Sequence, residues 1–182
     1  MTDRISQEHR RWIMSRVRSR NTKPELMVRS ILHRLGYRFT VRGPLNRQLP
    51  GRPDIVLPRH RAAVFVHGCF WHRHKGCPSA TVPGTRRDYW QSKFAANVAR
   101  DRKNRAQLKR LGWRVRIVWE CDVYRNPERI ARRLDAWLNP KRAADYAPLP
   151  DKKVLYKMAE ARADYTVLSK SNGFNRQRDV SQ

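Results

Sequence analysis

The spacing of apolar residues switches between helical and strand periods along the chain, and the switches lay out a mixed α/β fold. Val28, Ile31, Leu32 and Leu35 recur at helical spacing after Thr22-Lys23-Pro24-Glu25. Thr22 is placed to be the N-cap and Glu25 the N3 residue of a capping box, with Pro24 tolerated in the first turn. Gly36 stops this helix. Residues 37–41 alternate and predict a strand, and 43–53, rich in Gly, Pro and Asn, predict a loop. Residues 54–57 and 62–66 are short β-rich runs, and the turn Pro58-Arg59-His60-Arg61 makes them a hairpin. In that register Asp54 falls roughly opposite Phe65, beside the start of the next segment.

Residues 67–87 predict a long loop, and 88–111 a long helix. Trp90, Phe94 and Val98 lie along one side of that helix. Asn97, Asp101, Asn104, Leu108 and Leu111 form a neighbouring stripe. Asp101 shares its stripe with Leu108, so it is expected to face inward or into a cleft. Gly112 ends the helix, and 114–119 predict a strand. Strand 62–66, helix 88–111 and strand 114–119 make a βαβ unit, so the two strands are expected to be parallel. Cys69 and Cys121 then leave the sheet at the same edge. Asn126-Pro127 caps a final helix with Ile130, Leu134, Trp137 and Leu138 on its apolar side, and Asn139-Pro140 ends it. Residues 1–20 are basic with sparse apolar positions (Ile5, Trp12, Ile13, Val17). They read equally as a helical arm lying on DNA and as a frayed terminal helix. Residues 140–182 carry few large apolar side chains and read as a largely disordered tail. One folded domain over 21–139 is the expected organisation.

Charge narrows the partner. A formal net charge of +26 and a pI near 11.4 are the footprint of a polyanion binder, most often of nucleic acid. A membrane is disfavoured, because there is no long apolar run and no strongly amphipathic basic helix. The polar, charged N-terminus lacks an apolar signal-peptide core, and three cysteines make a poor disulfide framework. A reducing, cytoplasmic setting follows as the expectation.

The chemistry concentrates in 67–77, His-Gly-Cys-Phe-Trp-His-Arg-His-Lys-Gly-Cys, which holds three of the six histidines and two of the three cysteines. Cys69, His74, Cys77 and Cys121 make a Cys3His set, an accepted tetrahedral zinc set with no open position, hence structural. Spacing leaves His72 as an alternative to His74, and three ordinary buried cysteines are the bland reading. Asp54, at the start of a strand in Pro-Gly-Arg-Pro-Asp, is a natural Mg2+ ligand; a salt-bridged or turn-capping aspartate is the plain alternative. The hairpin brings it near His67 and His72, either of which could move a proton near neutral pH. Phe70, Trp71 and Trp90 could wedge between base pairs or simply pack over the zinc loop.

The runs PGRPD (50–54), VFVHGCFWHRH (64–74), RRDYWQSKFAANVARDRKN (86–104) and LGWRVRIVWEC (111–121) resemble the very short patch repair endonucleases, the Vsr family. The likeness covers about residues 10–139. It implies a restriction-endonuclease-like α/β fold, a mixed central sheet flanked by helices with a zinc-stapled loop. It also implies Mg2+-dependent nicking of duplex DNA on the 5′ side of the T in T:G mismatches, which arise when 5-methylcytosine deaminates. Within it, Asp54 is the central Mg2+ ligand with the Val66 backbone carbonyl as a second. His72 is general base or acid, supported by His67, Glu25 and Asp101. Cys69, His74, Cys77 and Cys121 hold zinc, and Phe70, Trp71 and Trp90 intercalate beside the mismatch. A mismatch-repair matchmaker and a cytosine methyltransferase are the associated partners, and a monomer suffices for one nick. The 74–77 loop is one residue longer than in some members. Val66 stands where some have threonine, and the lysine usual after Pro-Asp in the wider class is absent, so histidine chemistry replaces it. The rival readings are a general nuclease on matched DNA and a zinc-bearing DNA-binding regulator; a basic RNA-binding module is more distant.

Overall fold

The computed structural model describes residues 6–16 and 20–140. Its elements in chain order are α1 (Gln7–Arg16), α2 (Lys23–Arg34), α3 (Pro44–Gln48), β1 (Ile55–Leu57), β2 (Ala62–His67), α4 (Arg87–Arg110), β3 (Arg114–Trp119), α5 (Glu120–Arg125) and α6 (Pro127–Leu138). A short 3-10 turn, Pro58–His60, joins β1 to β2.

The sheet has the order β1-β2-β3, antiparallel between β1 and β2 and parallel between β2 and β3. Ile55 pairs with Val64, so the hairpin register expected for Asp54 against Phe65 holds one step beyond the strand end. The βαβ crossover through α4 sets His67 beside Trp119, and Cys69 and Cys121 leave at the same end. Period-2 alternation splits the apolar residues between the two faces. Ile55, Leu57, Ala62, Val64 and Val118 join α2 and α6 in one core. Val56, Ala63 and Phe65 join Leu49 and Leu108 in the other, on the α4 side.

Helices α2 and α4 end in the same device. Gly36 and Gly112 take φ of +81° and +76°. The amides of Tyr37 and Trp113 then reach back to the carbonyls of Leu32 and Leu108, at 3.0 and 2.9 Å. This is the Schellman arrangement, and it turns each aromatic onto the core beside its bonded partner.

Some expectations are corrected. Residues 37–41 do not form a strand; only Thr40 bridges to Val56, because Arg42 at φ +60° turns the chain away at once. The expected loop 43–53 contains α3, started by Pro44 at its first turn and held by Asn46, whose amide donates to the carbonyls of Thr40 and Pro53 at 3.1 Å each. Val98 and Leu111 are exposed at 38% and 53%, so the apolar side of α4 is narrower than its spacing suggests; Phe94 and Leu108 carry its burial. The α5 turn was not foreseen. The readings of Ile5, Val17 and the tail lie outside the described residues, apart from Pro140. No helix among the described residues is long and apolar enough to cross a membrane.

Candidate active site and metal centre

The 68–86 loop leaves β2 and is fastened before α4 begins. Backbone bonds from His72 to Gly68 (3.2 Å), His74 to Cys69 (3.1 Å) and Cys77 to His74 (3.2 Å) coil its first half. The Arg73 guanidinium donates to the carbonyls of Ala80 and Thr81 at 2.6 and 2.9 Å and lies 4.8 Å over Phe94. Asn97 of α4 donates to the Trp71 carbonyl at 3.1 Å. The coiling sends neighbouring side chains to different places.

One set converges. Cys69, His74, Cys77 and Cys121 bring their ligand atoms within 4.8 Å of one another. His74 Nδ1 lies 3.6 Å from Cys69 Sγ and 3.3 Å from Cys121 Sγ. A tetrahedral zinc ion with bonds of about 2.3 Å to sulfur and about 2.0 Å to nitrogen separates such atoms by roughly 3.5 Å, so the donors fit it. Trp119 stacks on the His74 ring at 4.2 Å and 7°, fixing its plane. Burial pushes the Cys69 thiol up to about 12 and raises Cys121 as well, while the backbone amide of Ser79 holds Cys77 below its usual range. A divalent cation would supply the positive charge that buried thiolates lack. Between His72 and His74, the structure puts His74 among the sulfurs.

A second set, His67, His72 and Asp101, also brings its ligand atoms within 4.8 Å of one another, but its rings are oriented differently. His72 Nδ1 is 2.5 Å from Asp101 Oδ2, and the His67 ring stacks on His72 with centroids 3.7 Å apart and planes 16° apart. Nearly parallel rings point their nitrogen lone pairs nearly parallel, so a single ion bonded to both would sit well out of each ring plane. The arrangement suits proton movement better than chelation. Burial, with the neighbouring His72 behind it, pushes His67 down to about 4, which keeps that ring neutral. Burial raises Asp101, but the hydrogen bond and charge of His72 outweigh it and hold the carboxyl below its usual range.

Both histidines border a cleft of about 670 Å³ that also receives Asp54, Glu25, Asp101 and Glu120. Asp54 Oδ2 accepts from the Val66 amide at 2.8 Å, fixing the carboxylate at the strand end. Burial raises its pKa to about 6 against that bond, and Glu25 adds to the rise. An isolated carboxylate in this setting is short of positive charge, which a hard divalent cation would supply. Glu25 is committed elsewhere: its carboxylate accepts from the Asn21 amide (3.0 Å), the Thr22 hydroxyl (3.0 Å) and Arg29 (2.9 Å), and it is 6% exposed. It is the expected helix cap, bonded to Asn21, and it holds Arg29 where that charge acts on Asp54.

Phe70, Trp71 and Trp90 meet in one cluster: the Phe70 ring lies 5.0 Å from Trp71, 5.5 Å from Trp90 and 5.1 Å from buried Phe94. Lys93 stands 5.5 Å over both tryptophans. Sequence reasoning missed Lys93, Glu120 and Tyr89. Lys93, three positions after Trp90 on the same helix, carried a readable signal. Glu120 accepts from the Cys69 amide at 3.4 Å, and only its place beside Cys121 hinted at that. Tyr89, 55% exposed beside Trp90, carried none.

Comparison with known proteins agrees with this chemistry. The model of the DNA mismatch endonuclease Vsr family matches residues 2–78. The type II nicking enzyme V.XorIIP of Xanthomonas oryzae pv. oryzae is 53% identical over 123 residues, 68% of this chain and 88% of the relative. The DNA mismatch endonuclease Vsr of Escherichia coli K12 is 40% identical over 129 residues, 69% and 80% respectively. The type II nicking enzyme V.NmeAIP of Neisseria meningitidis is 37% identical over 123 residues, 68% and 85%. The chain belongs to the Vsr family of DNA mismatch endonucleases, and the restriction-endonuclease-like architecture and nuclease activity go with that membership.

Proposed function

We propose that this protein is a Mg2+-dependent endonuclease that nicks duplex DNA 5′ of the T in T:G mismatches, the product of 5-methylcytosine deamination. The observation that carries the reading is the cleft, where Asp54 stands with the His72–Asp101 pair at the end of a strand pair. A DNA-binding regulator needs no such pair beside a buried carboxylate.

Asp54 and the Val66 carbonyl would hold Mg2+, which when bound neutralises phosphate charge and lowers the barrier to P–O cleavage. His72 uses its Nε2, free of the Asp101 bond, to take a proton from the attacking water. Asp101 stabilises the imidazolium that forms and orients the ring. His67 stays neutral and keeps the His72 ring in place by stacking. Glu25 and Arg29 position the first turn of α2 at the cleft wall. Cys69, His74, Cys77 and Cys121 would hold structural zinc, which would set the loop. Phe70, Trp71 and Trp90 enter the stack beside the mismatch, exchanging contacts with each other for contacts with bases. The enzyme acts as a cytoplasmic monomer on DNA, and a mismatch-repair matchmaker is its expected protein partner.

The test is strand cleavage of two duplexes differing at one base pair, T·G against C·G, with Mg2+ and with EDTA at moderate salt. A Mg2+-dependent nick 5′ of the T in the T·G duplex alone is expected. Equal cleavage of both duplexes would replace the mismatch reading by a general nuclease.

A further inference from the structure

The far side of the sheet carries a charge cluster that nicking does not use. Arg114 and Arg116 are two apart on β3, so they share the face that Val118 continues toward α2 and α6. The Arg114 guanidinium lies 4.9 Å from the Trp137 ring and donates to the Trp137 carbonyl. Arg116 lies 5.2 Å from the same ring. Burial lowers the Arg116 pKa, and the charges of Arg133 and Arg114 lower it further. Its buried Nε has no hydrogen-bond partner, and no carboxylate pairs with any of the three arginines among the described residues.

Two guanidiniums over one indole, with the Arg133 charge acting on one of them, repel one another, and a buried donor left unbonded adds to the cost. An anion with several acceptor oxygens removes both penalties, and the guanidinium fork matches phosphate oxygens two at a time. The cluster lies on the face opposite α4, which walls the cleft. It starts at the strand end away from His67 and Trp119, about 17 Å along β3 by the strand rise.

We propose that Arg114 and Arg116, packed over Trp137, form with the neighbouring Arg133 a second phosphate-binding surface that takes the backbone of a duplex segment not held in the cleft. Such an enzyme holds two stretches of DNA at once. The proposal takes DNA as the ligand but not the mismatch reading; a protein that binds two duplexes and nicks neither would sink the latter and leave this standing.

The experiment is binding stoichiometry of the full chain with a short labelled duplex, followed by sedimentation across a salt series. The wild type is expected to bind two duplexes. In Arg114→Gln/Arg116→Gln/Arg133→Gln the second binds about tenfold or more weaker, with a salt slope lower by roughly three, while the first and the nicking of a short mismatched duplex are unchanged. Arg102→Gln/Lys109→Gln/Arg110→Gln removes the same charge elsewhere and is expected to change the second affinity by less than about twofold. Arg116→Gln alone, which removes the half-buried member, serves if the triple variant melts early, and is expected to weaken the second duplex measurably. One duplex on the wild type, equal losses in the two triple variants, or occupation by inorganic pyrophosphate with no second duplex would each overturn the proposal.

Discussion

Two clusters of ligand-type side chains grow from the same loop, a few residues apart, and they differ in one respect. The Cys69–His74–Cys77–Cys121 donors aim at a common centre, with His74 Nδ1 at 3.3 and 3.6 Å from two sulfurs. His67, His72 and Asp101 are as crowded, yet the rings lie face to face and the carboxylate is spent on His72 Nδ1. Density of ligands therefore does not make a metal site; convergence of lone pairs does. The donors of the first cluster fit one tetrahedral ion, which would stiffen the loop. The second is built to hold one ring with one nitrogen free at the cleft.

The largest effect expected from breaking this division is on the converging set. Cys121→Ser should lower Tm by on the order of 10 °C or more and bring the zinc content of the purified protein to near zero. An unchanged melting curve in differential scanning calorimetry would contradict the staple. Next, Asp54→Ala should cut nicking by on the order of a thousandfold or more with the fold and duplex binding kept; circular dichroism and gel shift separate that outcome from unfolding. Asp101→Asn keeps a hydrogen-bonding group of the same size but removes the charge that favours imidazolium at His72. A fall of about a hundredfold in kcat with KM little changed is expected from single-turnover kinetics.

A pH experiment sharpens the contrast. Burial raises Asp54 to about 6, so its ionised form is the disfavoured one in the metal-free protein. Its contribution is present below the unfolded value near 4 and is lost as pH rises through 6, a change of on the order of 3 kcal/mol at most. Denaturant titrations in EDTA should show this loss, Asp54→Asn should flatten it, and Mg2+ should offset it above pH 6. The smallest effect lies away from both sites. The Tyr37 hydroxyl donates to Asp135 at 2.6 Å, and Asp135 is 2% exposed. Tyr37→Phe should cost about 1–3 kcal/mol of stability by leaving that carboxylate short of a donor, with nicking unaffected.

Much of this was legible in sequence, for physical reasons. The capping box at Thr22, the Gly36 and Gly112 stops and the βαβ crossover are local or chirality-bound rules, so they survive without tertiary information. The hairpin register carried Asp54 to the loop because a two-residue period fixes the partner of each position. What failed depended on neighbours. The 37–41 alternation is real, but Arg42 adopts a left-handed backbone and ends the pairing after Thr40. Asn46, unremarkable in sequence, anchors α3 through two carbonyls that only the fold brings near it. Spacing could not choose His74 over His72, because the choice is made by the direction of each ring. The stack of His67 on His72 was invisible, since a strand's last residue and one five positions on in the following loop have no set relation.

The division of labour between the two clusters is tested most directly by metal analysis paired with activity. Purified protein is treated with EDTA, desalted and assayed for zinc and for nicking of a T·G duplex before and after Mg2+ is returned. The account predicts one tightly held zinc per chain throughout, with nicking abolished by EDTA and restored by Mg2+ alone. Protein free of zinc that nicks and folds normally, or nicking restored only by zinc, would contradict it.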